Sequence, residues 1–130
     1  ESVETVLPTE GGPAFMQLVD AFGDVLAVRG IDLARVPHID AMMQQSQPAL
    51  EQVQLRQIEV LIGAHGGKIG TYMAWDTMSG IRNFGPYLLQ AGKFMREQWE
   101  SLVQQADEEL NDPVTHTRLP IYLVAGRRSA

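Results

Sequence analysis

Residues 86–111 read PYLLQAGKFMREQWESLVQQADEELN and form a long amphipathic segment. Apolar residues recur at helical spacing, and charged and amide side chains occupy the opposite face. We therefore predict one continuous helix that begins at Pro86 and ends at Asn111, before Asp112 and Pro113. Its apolar stripe consists of Leu88, Met95, Trp99, Leu102 and Ala106. Such a stripe needs a partner surface, which is either the core of a helical bundle or an assembly interface.

Two further helical regions are predicted before this segment. A helix begins at Pro13, because apolar residues from Phe15 onward share one face and Gly30 provides a stop. Asp32 is suited to cap a new helix, and Pro37 interrupts the pattern that follows. The stretch up to residue 47 therefore predicts one short or kinked helix.

The next region allows two interpretations. Ser46 and Pro48 open a segment whose Ala, Leu, Glu and Gln content favours helix through Gln57. Beyond it, either the helix continues to the glycines of GAHGGKIG, or residues 58–62 and 69–75 form two strands of a hairpin. We favour the continued helix.

The two ends of the chain differ from its middle. We predict a flexible N-terminal arm over residues 1–12, a helical domain over 13–117 and an extended strand or tail over 118–130. Pro120 suits the start of an edge strand. Both alternating faces of the tail are apolar, so it requires burial on two sides; the residues concerned are Ile121, Tyr122, Leu123 and Val124.

These patterns predict a mainly α fold. We expect a single domain of four to five helices, a helical bundle, with a C-terminal β-strand or extended tail. The alternative is an α+β fold with a small sheet of two to three strands.

The composition of the chain limits the kinds of site and partner that it can have. The 130 residues include ten Lys and Arg, sixteen Asp and Glu, and no cysteine, for a net charge of -6. Disulfides, thiolate metal sites and a cysteine nucleophile are therefore excluded, and a general affinity for nucleic acid is disfavoured. No apolar run approaches the ~20 residues that span a bilayer, so we expect a soluble protein, with the cytoplasm favoured. Because residue 1 is Glu rather than Met, we expect a processed or truncated start.

The glycine-rich stretch GAHGGKIG, residues 63–70, is the strongest local candidate for a ligand loop. Glycine amides converge readily on an anion, and a lysine adds positive charge; the candidate ligand-binding residues are Gly63, Gly66, Gly67 and Lys68. The stretch departs from a phosphate loop, because Ile62 replaces the first glycine and Ile69 follows the lysine. We therefore predict a structural role as a helix terminator or hairpin loop.

Histidines are the other candidates for chemistry. His65, beside Lys68 and near Asp76 in our interpretation, is the first to test as a general base. His38 lies two positions from Asp40, and a zinc site would need unrelated segments to converge. His116 is the third histidine, but no second His lies at helical spacing from His38 and no serine lies in a nucleophile motif. We predict no metal, no cofactor and no catalytic site.

Two weaker signals lie elsewhere. Arg118, Arg127 and Arg128 suggest a contact with nucleic acid or an acidic partner, although charges that protect an apolar strand from self-pairing explain the same residues. The six methionines, including Met42 and Met43, suggest an adaptable binding surface, although ordinary filling of the core explains the same residues and is favoured.

We therefore expect a non-enzymatic structural, assembly or protein-interaction subunit, either a homo-oligomer or part of a larger assembly. It would self-associate through the amphipathic helix and the C-terminal segment; the predicted interface residues are Leu88, Met95, Trp99, Leu102, Ile121, Tyr122, Leu123 and Val124. The alternative is a small-ligand binding domain or enzyme that uses residues 63–70 with His65 and Lys68. Nucleic-acid binding through the basic tail is the third hypothesis.

Overall fold

The computed structural model describes residues 2–45 and 50–128. These residues form four α-helices and a three-stranded antiparallel sheet. In chain order the elements are β1 (Ser2–Thr5), α1 (Pro13–Val28), α2 (Ile39–Gln44), β2 (Leu50–Ile62), α3 (Gly67–Gln90), α4 (Arg96–Asn111) and β3 (Thr117–Arg128). Short 3-10 turns at Leu33–His38 and Ala64–Gly66 precede α2 and α3. The fold is mainly helical, as predicted, but the C-terminal segment is a sheet element rather than a tail.

The segment 86–111 contains parts of two helices, so the prediction of one continuous helix is wrong. Pro86 lies inside α3, and Gly92 follows that helix with φ 72°. The amide of Gly92 donates to the carbonyl of Leu89, and that of Lys93 donates to the carbonyl of Leu88, both at 3.1 Å. These two bonds make a Schellman motif, the usual glycine stop of a helix. The apolar spacing continues across the stop, which is why the sequence pattern concealed it.

The favoured helix over residues 48–62 is also wrong where the structure describes it. Leu50–Ile62 form β2, which pairs antiparallel with β3 from Leu50 opposite Arg128 to Ile62 opposite Thr117. The alternative was right for residues 58–62, whereas 69–75 lie in α3 rather than in a strand. The predicted helix start at Ser46 and Pro48 lies outside the described residues. Helix propensity was overridden here because β3, apolar on both faces, pairs along the length of β2.

The strand β3 lies at the centre of the sheet, in the order β1-β3-β2. Residues Ser2–Thr5, which we expected in a flexible arm, pair with residues 121–124. Further along, the amide of Thr9 donates to the carbonyl of Arg118, and the amide of Arg118 donates to the carbonyl of Glu10. Both ends of the described chain therefore belong to one sheet.

Pro120 lies in this central strand and not at the start of an edge strand. Alternate residues of a strand turn their backbone groups toward the same neighbour. The nitrogen of Pro120 therefore faces the same side as that of Arg118, toward the N-terminal segment. On that side, Arg118 forms a bridge with Glu10, and the pairing with β1 begins at Ile121. Pro120 lies between these two contacts, so its missing N–H affects only the N-terminal side of β3 and leaves the pairing with β2 intact.

One hydrophobic core joins α1, α3 and α4 to the sheet. Its fully buried side chains come from all three helices and from β2; they include Phe15, Leu18, Ile62, Met78, Leu88 and Leu110. Because the core draws on residues from positions 14 to 119, it forms only when distant segments meet. None of the helices in the described part of the chain is long and apolar enough to cross a membrane.

The N-terminus of α1 is capped by a side chain from α4. The carboxylate of Glu109 accepts hydrogen bonds from the amides of Ala14, at 3.1 Å, and Phe15, at 3.0 Å. The N-cap residue is Gly12, and a Cβ there would overlap the Glu109 carboxylate. A negative group at this position satisfies amides that have no partner within the helix and complements the helix dipole.

Candidate functional site

The glycine-rich loop connects β2 to α3 through backbone contacts. The amide of Gly63 donates to the carbonyl of Gly70 at 2.8 Å, and the amide of Gly66 donates to the carbonyl of Gly63 at 3.1 Å. Two of the amides that an anion would use are therefore occupied within the loop. Gly63 has φ 95° and ψ -159°, a conformation open almost only to glycine. This arrangement favours a structural role for the loop.

The same glycines permit close approach of neighbouring backbones. A Cβ on Gly63 would meet the carbonyl oxygen of Leu110, and one on Gly66 would meet the carbonyl oxygen of Leu61. A Cβ on Gly70 would lie 2.5 Å from the carbonyl oxygen of Gly63. The loop thus brings β2, α3 and the end of α4 closer together than residues with side chains would allow.

Replacing Gly63 with alanine should lower the free energy of unfolding by about 1–3 kcal/mol, because a non-glycine residue is strained at this φ and ψ and its Cβ meets the backbone of Leu110. Gly80, inside α3, is a matched control with nothing within 4 Å of its Cβ position. Gly80→Ala should raise stability by about 0.5–1 kcal/mol. Urea unfolding of both variants measures the difference. Equal effects of the two substitutions would contradict the structural role of Gly63.

The structure brings His65 into contact with His116, not with Asp76. The two imidazole rings have centroids 4.0 Å apart and planes inclined by 60°. Asp76 lies more than two turns into α3, beside an apolar cleft. Within residues 2–45 and 50–128, no group of three or more His, Cys, Asp and Glu side chains could hold a metal ion. The general base that the sequence suggested therefore has a second imidazole as its neighbour.

The predicted interface residues differ in accessibility. Leu88, Trp99 and Leu102 lie in the core that α3 and α4 share with α1, and their burial requires no second chain. Val124 is also buried, whereas its neighbours in β3 are half-buried; these are Ile121, Tyr122 and Leu123. Met95, before α4, is 78% exposed. Of the eight predicted residues, Met95 alone has a mostly exposed side chain.

The most exposed aromatic surface lies on the first half of α3 and was not identified from the sequence. It consists of Ile69, Tyr72 and Trp75, which are 73%, 66% and 65% exposed. We call these three residues the aromatic face. The rings of Tyr72 and Trp75 have centroids 6.2 Å apart. Their spacing of three residues was a signal for one helical face, but Gly70 and Gly80 made this segment a poor helix by propensity.

A concave surface lies between α1 and α3. This apolar cleft has a volume of about 480 Å³. Phe22 of α1 and Phe84 of α3 meet edge to face in its wall, with ring centroids 4.4 Å apart. Leu7 and Pro8 of the N-terminal segment cover one side, and Asp76 provides a charge. The cleft has the size of a small-molecule site, but few polar groups converge on it.

The basic residues near the C-terminus do not form one free patch. Arg118 makes ion pairs with Glu10, at 2.9 Å, and with Glu59, at 3.1 Å. Arg127 and Arg128 are exposed at the far end of β3, where Arg127 lies opposite Glu51 of β2. Acidic neighbours therefore offset much of the positive charge.

The chain matches no family model, and no curated protein matches its sequence.

Proposed function

We propose that the chain is a non-enzymatic assembly or interaction subunit that self-associates through the aromatic face of α3. The observation that carries this proposal is the exposure of Ile69, Tyr72 and Trp75 on one helical surface. Isolated exposed apolar residues are common on proteins, whereas a contiguous group with Tyr and Trp is typical of binding surfaces. The helix of 24 residues is about 36 Å long and offers a long surface for packing.

A second copy of the chain is the partner that this surface fits best. Two α3 helices that pack antiparallel about a two-fold axis at Tyr72 present the same surface to each other. Residues three positions before and after Tyr72 then face one another. Ile69 of one chain meets the partner's Trp75, and the two Tyr72 side chains meet at the axis. Each apolar side chain of the face is thereby covered by another.

Charged residues beside the aromatic face are complementary in this antiparallel arrangement. Lys68 and Asp76 lie four positions before and after Tyr72, and both are exposed. In the antiparallel arrangement Lys68 of one chain approaches the partner's Asp76, and the pair occurs twice. Complementary charges at the rim of an interface favour one register and disfavour others. The arrangement therefore supports a symmetric dimer rather than an open chain of subunits.

Sedimentation equilibrium or size-exclusion chromatography with light scattering should show a concentration-dependent dimer. Tyr72→Arg places two like charges at the axis and should weaken self-association at least tenfold. Val28→Arg is the matched control, because Val28 is 88% exposed at the end of α1, away from the face; it should dimerise normally. Far-UV circular dichroism checks that both variants remain folded.

A charge exchange tests the register. Lys68→Asp should weaken the dimer, and the double variant with Asp76→Lys should restore it, since the pair is then reversed. A wild-type chain that stays monomeric at high concentration, or a Tyr72→Arg variant that dimerises like the wild type, would contradict the proposal.

Small-ligand binding remains a second candidate because of the apolar cleft between α1 and α3. Its volume of about 480 Å³ lies in the range of small-molecule sites. A thermal-shift screen with small apolar compounds addresses this candidate separately from dimerisation. The glycine-rich loop supports it less than the cleft does, because the amides of Gly63 and Gly66 are used within the loop.

A further inference from the structure

Two of the three histidines of the chain meet at one end of the β2–β3 ladder. Ile62 of β2 pairs with Thr117 of β3, and the histidines lie just beyond these residues. His65 belongs to the 3-10 turn after β2, and His116 directly precedes β3. Both side chains are exposed, so burial of apolar surface does not explain why their rings lie in contact.

Both histidines are carried by short segments with defined hydrogen bonds. The turn around His65 is closed by the amide of Gly66, which donates to the carbonyl of Gly63. His116 follows a turn in which the Asp112 carboxylate accepts a 3.0 Å bond from the backbone amide two residues later. Since the backbone is already ordered at both positions, little backbone entropy is lost when the two side chains bind the same ligand.

We propose that His65 and His116 form an open two-histidine site for a divalent transition metal ion such as Zn²⁺, Ni²⁺ or Cu²⁺. Imidazole nitrogens suit these ions, whereas Mg²⁺ and Ca²⁺ prefer oxygen ligands. Two histidines that bind one ion in tetrahedral geometry, through nitrogens at about 2.0–2.1 Å, have ring centroids roughly 5 Å apart. The centroids here are 4.0 Å apart. The rings must therefore separate by about 1 Å when the ion binds, and the exposure of both side chains permits this movement.

The site differs from a closed structural zinc site, which needs four protein ligands. Its two histidines leave the other coordination positions to water, which reaches them because both side chains are exposed. A bound ion would link the β2–α3 loop to the α4–β3 connection. Because the folded chain brings the two ligands together, ion binding should also stabilise the fold.

The composition of the chain leaves few other side chains that could bind these ions through nitrogen or sulfur. There is no cysteine, and the third histidine, His38, lies in the 3-10 turn before α2 and provides a matched control. Isothermal titration with ZnCl₂ should give one ion per chain for the wild type. His65→Gln and His116→Gln should each weaken binding at least tenfold, and His38→Gln should leave it unchanged. MgCl₂ should give no binding.

Proton NMR with a substoichiometric amount of CuCl₂ provides a second readout. The paramagnetic ion should broaden the ring signals of His65 and His116 and spare those of His38. Since one chain supplies both ligands, the Tyr72→Arg variant should bind Zn²⁺ as the wild type does, which separates this proposal from dimerisation. Absence of Zn²⁺ binding to the wild type, unchanged binding in both variants, or equal broadening of all three histidines would overturn the proposal.

Discussion

Trp99→Ala should lower the free energy of unfolding by about 3–5 kcal/mol, among the largest effects of a single substitution in this protein. The indole is 9% exposed and packs against α3, where a Cβ on Gly85 would lie 2.5 Å from its ring. Phe94 lies on another side, with ring centroids 6.4 Å apart. Removing the indole leaves a cavity between α3 and α4 that the close helix contact cannot easily fill. Thermal unfolding followed by far-UV circular dichroism measures the loss.

Trp75→Ala is the matched control, because it removes the same side chain from a site that is 65% exposed. It should change the stability of the monomer by less than about 0.5 kcal/mol. The comparison also decides what the apolar stripe of α4 does. A Trp99→Ala variant with unchanged stability and lost self-association would identify the stripe as an intersubunit seam, contrary to its position in the core.

Deletion of residues 119–130 should abolish cooperative unfolding altogether. It removes most of β3, the strand that pairs with both β1 and β2, together with the buried side chains of Leu119 and Val124. The two remaining strands would lose their hydrogen-bonding partner, and the core would open on the side of the sheet. Calorimetry should show a broad transition of low enthalpy in place of a sharp one.

A shorter deletion provides the control. Removing residues 127–130 spares the pairing with β1 and the buried part of β3, so the cooperative transition should persist. Hydrogen exchange adds a residue-level check: the amides of residues 121–124 should be protected in a dilute monomer, because their partners lie within the chain. A sharp transition after deletion of 119–130 would show that the helices fold without the sheet.

Local patterns sufficed for some elements of the fold. The helix from Pro13 was predicted because its start signal, apolar face and glycine stop agree, and α1 runs from Pro13 to Val28. The strand character of residues 121–124 was also recognised, since β-branched and aromatic residues dominate there. In both cases the information lies within the segment itself.

Other elements were fixed by distant partners. Residues 50–57 have good helix formers, yet they form a strand along β3. The break at Gly92 was hidden because the apolar spacing of α3 and α4 stays in phase across it. The contact between His65 and His116 could not be predicted either, because it depends on the register in which Ile62 meets Thr117. The aromatic face could not be predicted from the sequence, because its three residues share one face only if residues 69–75 are helical.

The central position of β3 also governs when the chain can fold. The ribosome makes β3 after both of its neighbours, so β1 and β2 have unpaired edges while residues 63–116 are being synthesised. The pairing of Ser2 with Val124 spans nearly the whole described chain, and such distant contacts form slowly. Folding is therefore completed only after synthesis of β3, and until then the nascent chain exposes surfaces that favour aggregation.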